Sequence, residues 1–172
     1  MYDAIVVGAR CAGSPTAMLL AQRGYHALVV DKAHFPSDTL STHAVKLPAG
    51  AALKRWGLLD QVIASNCTPI SSWSIDVGPL VLAGVAPHAH GVASAYAPRR
   101  RILDPILAET AVGEGAEFRQ DFTVDEVLTS DGRVHGIRGH TPSGAPIVEE
   151  ARVVIGADGM RSLVARTVAA PS

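Results

Sequence analysis

Residues 3–32, DAIVVGARCAGSPTAMLLAQRGYHALVVDK, constrain the fold of this 172-residue chain more than any other stretch. Ala4, Ile5, Val6 and Val7 form an apolar run without alternation, the pattern of a short strand buried on both faces, and Gly8 marks its end. A tight turn follows. Residues 11–23 then carry helix formers, with Ala12, Leu19 and Leu20 apolar and Gly24 suited to close the helix. Pro15 is tolerable because it falls in or just after the first turn, where backbone donors have no intrahelical partner. Ala27, Leu28, Val29 and Val30 give a second apolar run, ended by Asp31. The predicted order is strand, helix, strand, with the helix starting near Cys11.

The chemistry of such a unit is anion recognition. Backbone N–H groups of the turn and the positive end of the helix dipole converge on one point, where a pyrophosphate fits. Asp31 stands where a carboxylate hydrogen-bonds ribose hydroxyls, so the spacing predicts a dinucleotide. In the pattern G-x-G-x-x-G, Gly8 and Gly13 are in place and Arg10 holds the middle position. That side chain either blocks close approach of the backbone to the phosphates or points outward and adds a cationic contact.

Composition excludes several other classes. A hydrophobic share of 48%, a charged share of 18% and a net charge of −1 describe a chain that forms one compact domain but hardly two large ones, with no affinity for nucleic acid. No stretch approaches the apolar length of a membrane span, and the N-terminus leads straight into strand one, so the cytoplasm is the default location. Cys11 and Cys67 form no C-x-x-C pair; Cys11 reads as a small residue filling the turn.

Residues 32–48 are polar and broken by Pro36 and Pro48, which predicts a long loop after the second strand. Ser41, Thr42 and His43 there either face a cofactor or cap the next helix. Residues 49–65 read as helical, with Leu53, Trp56, Leu59, Val62 and Ile63 at core-facing spacing and Gly57 interrupting. Between Pro69 and Pro98 the period changes: Trp73, Ile75 and Val77 alternate with Ser72, Ser74 and Asp76, and Gly78-Pro79 turns the chain back, an antiparallel signal. His88 and His90, without a third ligand, do not make a metal site. Asp104-Pro105 is a good helix start, or the helix begins a turn earlier at the arginines. Residues 117–150 read as three or four short strands with turns at Asp131-Gly132 and Ser143-Gly144. Residues 152–166 repeat the logic of the N-terminus: an apolar run, the turn Gly156-Ala157-Asp158-Gly159, then a helix from Ser162.

Three separated motifs together resemble the FAD-dependent monooxygenase family typified by aromatic hydroxylases, with geranylgeranyl reductases and flavin halogenases as relatives. They are VVGARCAGS with Asp31, RRILDPILAETA, and GADGMRS. Arg10 departs from the usual glycine, although a branch of the family is similar there. The resemblance implies an α/β, Rossmann-like FAD-binding fold of the glutathione reductase type, with a β-meander and the start of a mixed substrate-domain sheet. The FAD-binding domain would comprise residues 1–68 and 99–172, and residues 69–98 would begin the substrate domain. The chain reads as a truncated, N-terminal portion of such a protein, ending before the family's later Gly-Asp motif.

The same resemblance implies FAD as cofactor and NAD(P)H as reductant, in an oxidoreductase that consumes O2 to hydroxylate a small organic substrate. The alternatives are alkene reduction in the manner of geranylgeranyl reductases, or a nucleotide-binding fragment without turnover. Gly8, Ala9 and Gly13 would face the pyrophosphate, Asp31 the adenosine ribose, Arg100 the nucleotide or phosphates, and Asp158 with Gly159 would make the second fingerprint contact, with Arg10, Lys32, Ser41 and Thr42 as further cofactor-binding candidates. No catalytic side chain is identifiable.

Overall fold

The computed structural model describes residues 1–85 and 91–170, so His88 and His90 lie outside the described residues. In chain order the elements are β1 (Tyr2–Val7), α1 (Gly13–Ala21), β2 (Ala27–Val30), α2 (Leu47–Arg55), α3 (Leu59–Ala64), β3 (Pro69–Ile70), β4 (Ser72–Asp76), β5 (Val81–Val85), β6 (Ala95–Tyr96), α4 (Arg100–Gly113), β7 (Glu117–Arg119), β8 (Thr123–Ser130), β9 (Arg133–His140), β10 (Pro146–Gly156) and α5 (Leu163–Thr167). They divide into two compact units, Met1–Ser37 with Leu107–Ser172, and Asp38–Ile106. Among the described residues no helix is long and apolar enough to cross a membrane.

The first unit carries a six-stranded sheet in the order β7-β2-β1-β10-β9-β8. Its parallel part is the strand, helix, strand arrangement expected of the N-terminus, extended on both sides. β1 pairs with β2 through Ile5 opposite Leu28 and Val7 opposite Val30, and with β10 through Ile5 opposite Val154 and Val6 opposite Ile155. The apolar runs are unalternating because both faces are covered. Ile5, Val7, Leu28 and Val30 join Phe122, Val127, Ile137 and Val164 in one core cluster. Ala4, Val6, Ala27 and Val29 are buried on the opposite face, where α1 places Gly13 against Val6. Each fully buried Ile, Leu or Val stabilises the sheet by about 1.5–3 kcal/mol.

Two pairings differ from the sequence reading. β7 joins the parallel sheet beside β2, with Val29 opposite Phe118, instead of belonging to the meander. β10 is one strand of 11 residues, not two: its first half pairs antiparallel with β9 and its second half parallel with β1. A strand's own periodicity does not encode its partner, so both differences come from long-range pairing. Helix α1 begins at Gly13, later than Cys11, because residues 9–12 stay in the turn; Cys11 is exposed instead of filling it.

In the second unit the long helix expected over residues 49–65 is two helices, α2 and α3, with the break at Gly57. Leu53, Leu59 and Val62 are buried, while Trp56 is half-buried and Ile63 exposed. β4 and β5 form the expected antiparallel hairpin, with Ile75 opposite Leu82. Its apolar residues, Trp73, Ile75 and Leu82 among them, are exposed. β3 and β6 form a separate two-stranded pair. Helix α4 begins at Arg100, a turn before Asp104, which therefore lies inside the helix and accepts from Arg100 Nε at 2.7 Å instead of capping it.

Candidate nucleotide-binding site

In the first unit the chain leaves the adjacent parallel strands β1 and β10 in opposite directions. After β1 it enters α1, on the face of the sheet that carries Val6; after β10 it enters α5, whose Val164 belongs to the cluster of Ile5 and Val7 on the other face. Ligands of open α/β sheets bind in the crevice that such a divergence opens at the carboxyl ends of the strands. A cavity of about 380 Å³ lies there, lined by Val7, Gly8, Arg10, Val30, Asp31, Lys32, Phe122, Thr123, Val124, Ala157, Asp158, Gly159, Arg161 and Leu163.

The floor of the crevice is two glycine-containing turns in contact. Gly8 takes φ +100°, and a β-carbon added to it would stand 2.5 Å from the carbonyl oxygen of Ala157. Its lack of a side chain therefore lets the two strand ends approach, and Ala157 N–H donates to Val7 O at 2.7 Å. Gly13 is tighter still: a β-carbon there would lie 1.6 Å from Gly8 O, so α1 rests directly on the turn. Asp31 ties the turn to β2. Its Oδ2 accepts from Ala9 N–H at 2.8 Å and its Oδ1 from Ala33 N–H at 2.8 Å, leaving further lone pairs on both oxygens.

Arg10 does not lie across the turn. Its guanidinium carbon lies over the ring of Phe35, 5.4 Å from the centroid, and Nη2 donates to Ser37 Oγ at 3.1 Å. Of the two orientations left open by the sequence, the outward one is adopted. On the opposite wall, Asp158 Oδ2 accepts from Leu163 N–H at 2.6 Å, and Ser162 Oγ accepts from Ala165 N–H at 2.9 Å, so both side chains serve the start of α5. Asp158 Oδ1 is buried with no hydrogen-bond partner among the described residues. A buried carboxylate oxygen without a donor is costly, and a ligand hydroxyl or amide would satisfy it.

The sequence-predicted residues Gly8, Arg10, Asp31, Lys32, Asp158 and Gly159 thus line one cavity, with Ala9 and Gly13 forming the turn beneath it. Arg161, Phe122, Thr123 and Val124 line it as well and were missed. Arg161 was legible inside GADGMRS, where a cation follows the Asp-Gly pair; the β8 residues were not, since only the fold brings them there. Arg10, Lys32 and Arg161 against Asp31 and Asp158 leave the lining net cationic, as an anionic ligand requires. Ser41, Thr42 and Arg100 belong to the second unit. There Ser41 Oγ accepts from His43 N–H at 3.1 Å, Thr42 is exposed, and Arg100 is paired with the fully buried Asp104.

A family described as FAD binding domain matches residues 1–171. The probable electron transfer flavoprotein-quinone oxidoreductase YdiS of Escherichia coli (strain K12) is 30% identical over 182 residues, covering 97% of this chain and 38% of that protein. The digeranylgeranylglycerophospholipid reductase of Methanosarcina acetivorans is 28% identical, covering 96% of this chain and 40% of that protein. The chain therefore spans about two fifths of the length of these curated relatives. Among solved structures, the myxobacterial chondrochloren halogenase CndH superposes with a TM-score of 0.80 at 23% identity, over 89% of this chain and 36% of that one. Halogenase PltM in complex with phloroglucinol and FAD gives a TM-score of 0.73 at 20% identity, over 98% and 36%. The expected FAD-binding architecture is the one these structures share.

Proposed function

The chain belongs to the FAD binding domain family, and on that premise we propose that its first unit holds the adenosine diphosphate half of FAD in a flavoprotein monooxygenase. The protein would use NAD(P)H and O2 to hydroxylate a small organic substrate in the cytoplasm. The observation that carries the nucleotide reading is the bond from Ala9 N–H to Asp31 Oδ2, because it fixes the amide-lined turn and the ribose-facing carboxylate as one rigid piece.

In this reading the turn from Gly8 to Gly13 surrounds the diphosphate, and the remaining lone pairs of Asp31 accept from the ribose hydroxyls. Lys32 and Arg161 neutralise the anion at the cavity wall, and Asp158 Oδ1 with Gly159 meets the cofactor from the side of β10. Bound FAD supplies hydride acceptance and oxygen activation, which no side chain can provide. The net reaction puts one oxygen atom of O2 into the substrate and the other into water, with NAD(P)H giving up two electrons. The chain's own residues contribute binding, orientation and charge.

A second reading, alkene reduction, draws on the similarity to a digeranylgeranylglycerophospholipid reductase. It would oxidise NAD(P)H under nitrogen in the presence of a prenyl substrate, whereas hydroxylation would take up O2 in step with NAD(P)H. The direct test of the binding reading is to purify the 172-residue chain in the presence of FAD. Retained yellow flavin supports it, and bleaching by NAD(P)H under nitrogen would extend it to an active unit. A colourless protein that leaves FAD fluorescence unchanged on titration contradicts it.

A further inference from the structure

The second unit has a cavity of its own, lined by none of the residues assigned to the nucleotide. It holds about 260 Å³ beside the break between α2 and α3, against the segment that leads into β6. Leu59, Ile63 and Val92 are its apolar lining, and Lys54, Asp60 and Tyr96 its polar lining. Ile63 is 42% exposed, so part of this apolar surface faces water. Lys54 Nζ donates to Gly91 O at 2.7 Å, which leaves two of its three N–H groups unused. The backbone of Tyr96 is clamped to Val45, accepting from Val45 N–H at 2.7 Å and donating to Val45 O at 3.0 Å, and the residue is only 9% exposed. Lys54 and Asp60 line one cavity without forming an ion pair. Among the described residues, neither the Asp60 carboxylate nor the Tyr96 hydroxyl has a hydrogen-bond partner.

We infer that this cavity binds a small zwitterion with an apolar tail, the chemistry of a free α-amino acid. Its carboxylate meets Lys54, its ammonium meets Asp60, and its side chain lies against Leu59, Ile63 and Val92. A ligand with one charge satisfies one wall and is repelled by the other: a carboxylic acid meets Asp60, and an amine meets Lys54. A molecule that carries both charges is complementary to both. The Tyr96 hydroxyl is free to donate to the same carboxylate. Pockets for drug-sized ligands begin at about 300 Å³, so this smaller space suits a molecule of amino-acid size. Lys54 is oriented by Gly91 O before any ligand arrives, so less rotamer freedom is lost on binding. Gly91 takes φ +73°, and a β-carbon there would stand 2.7 Å from Lys54 Nζ, so its lack of a side chain is what lets the ammonium reach that carbonyl. Every residue of the site belongs to the second unit, and the inference does not depend on the nucleotide reading.

Calorimetric titration of the whole chain with L-leucine tests the assignment, beside analogues that each lack one feature: isocaproate without the ammonium, isopentylamine without the carboxylate, and glycine without the tail. Leucine should bind roughly ten-fold or more tightly than either singly charged analogue, the scale of a hydrogen bond to a charged group, and more tightly than glycine, which buries no apolar tail. Lys54→Met and Asp60→Asn change exposed side chains and should each weaken leucine by roughly ten-fold. Asp60→Asn should leave isocaproate bound no more weakly than before, and Lys54→Met should do the same for isopentylamine, since each removes the repelling wall. That crossed pattern is what a general loss of structure would not produce. The absence of heat with leucine at millimolar concentration would overturn the inference. So would equal affinities for leucine and both singly charged analogues, or leucine binding that ignores both substitutions.

Discussion

The backbone N–H of Ala9 donates to Asp31 Oδ2 at 2.8 Å across 22 residues of sequence, and both partners are buried. This one bond fixes the turn after β1 against the end of β2. Asp31 also accepts from Ala33 N–H, so the carboxylate is spoken for structurally before it meets a ligand.

Asp31→Ala removes the acceptor of both N–H groups and, in the proposed reading, the partner of the ribose. It is expected to weaken FAD or ADP binding by roughly 1–3 kcal/mol, the scale of a hydrogen-bonded charge. A lower unfolding midpoint in urea should accompany the loss, because Ala9 N–H is then buried without an acceptor. Titration and chemical denaturation of the same sample read both effects.

Gly13→Ala puts a β-carbon where Gly8 O now stands, a contact with backbone that no side-chain motion relieves. The turn and α1 must separate, at a cost of roughly 3 kcal/mol or more. Denaturant unfolding should show a marked loss of stability, and the nucleotide affinity of any folded fraction should fall as well.

Much of this arrangement was legible in the residues themselves. The runs of β1 and β2 lack alternation because both faces are buried, and Gly8, Gly13 and Asp31 sit at the spacing that a phosphate turn needs. The second Asp-Gly turn and its helix were readable for the same reason. What the sequence hid was partnership. The meander and the parallel sheet share β10, and β7 lies beside β2, because strand pairing is decided by packing over long separations and not by local period. For the same reason Phe122, Thr123 and Val124 carry no local sign that they line the cavity. The orientation of Arg10 likewise depends on Phe35 and Ser37, which no spacing rule connects to the turn.

Asp158 has two separable roles. Its Oδ2 accepts from Leu163 N–H at the start of α5, and its buried Oδ1 has no partner among the described residues. Asp158→Ala should lose about 1 kcal/mol of stability as a missing cap does, and flavin affinity with it. Asp158→Asn keeps an acceptor for Leu163 N–H while removing the charge. It is expected to melt close to wild type and to bind FAD more weakly; an affinity equal to wild type would show that the carboxylate serves only the helix.

Away from the cavity, Tyr2 OH donates to Glu117 Oε2 at 2.6 Å, and Arg119 bridges Glu117 and Glu149 at 2.6 Å each. Burial, followed by the hydrogen bond to Glu117, pushes the Tyr2 phenol up to about 12. A raised value means that the folded state keeps its proton longer than the unfolded chain does. Its contribution is complete below about 10 and declines as pH rises through about 12. Tyr2→Phe should remove that alkaline decline from a plot of unfolding free energy against pH.

Glu117 behaves in the opposite sense. The hydrogen bond from Tyr2, together with Arg119, holds its carboxyl below the usual range against the effect of burial. Its contribution is present above the ordinary value of about 4.3 and is lost as pH falls through the lower folded value. Glu117→Gln should flatten the acid limb of the same plot, and an unaltered limb would place the acid sensitivity elsewhere.

The most direct measurement is a crystal structure of the chain with FAD bound. The account predicts the diphosphate against the amides of the turn between Gly8 and Gly13, with a ribose hydroxyl on Asp31. FAD bound away from that turn, or a turn that stays empty while Asp31 keeps only Ala9 and Ala33, would contradict it.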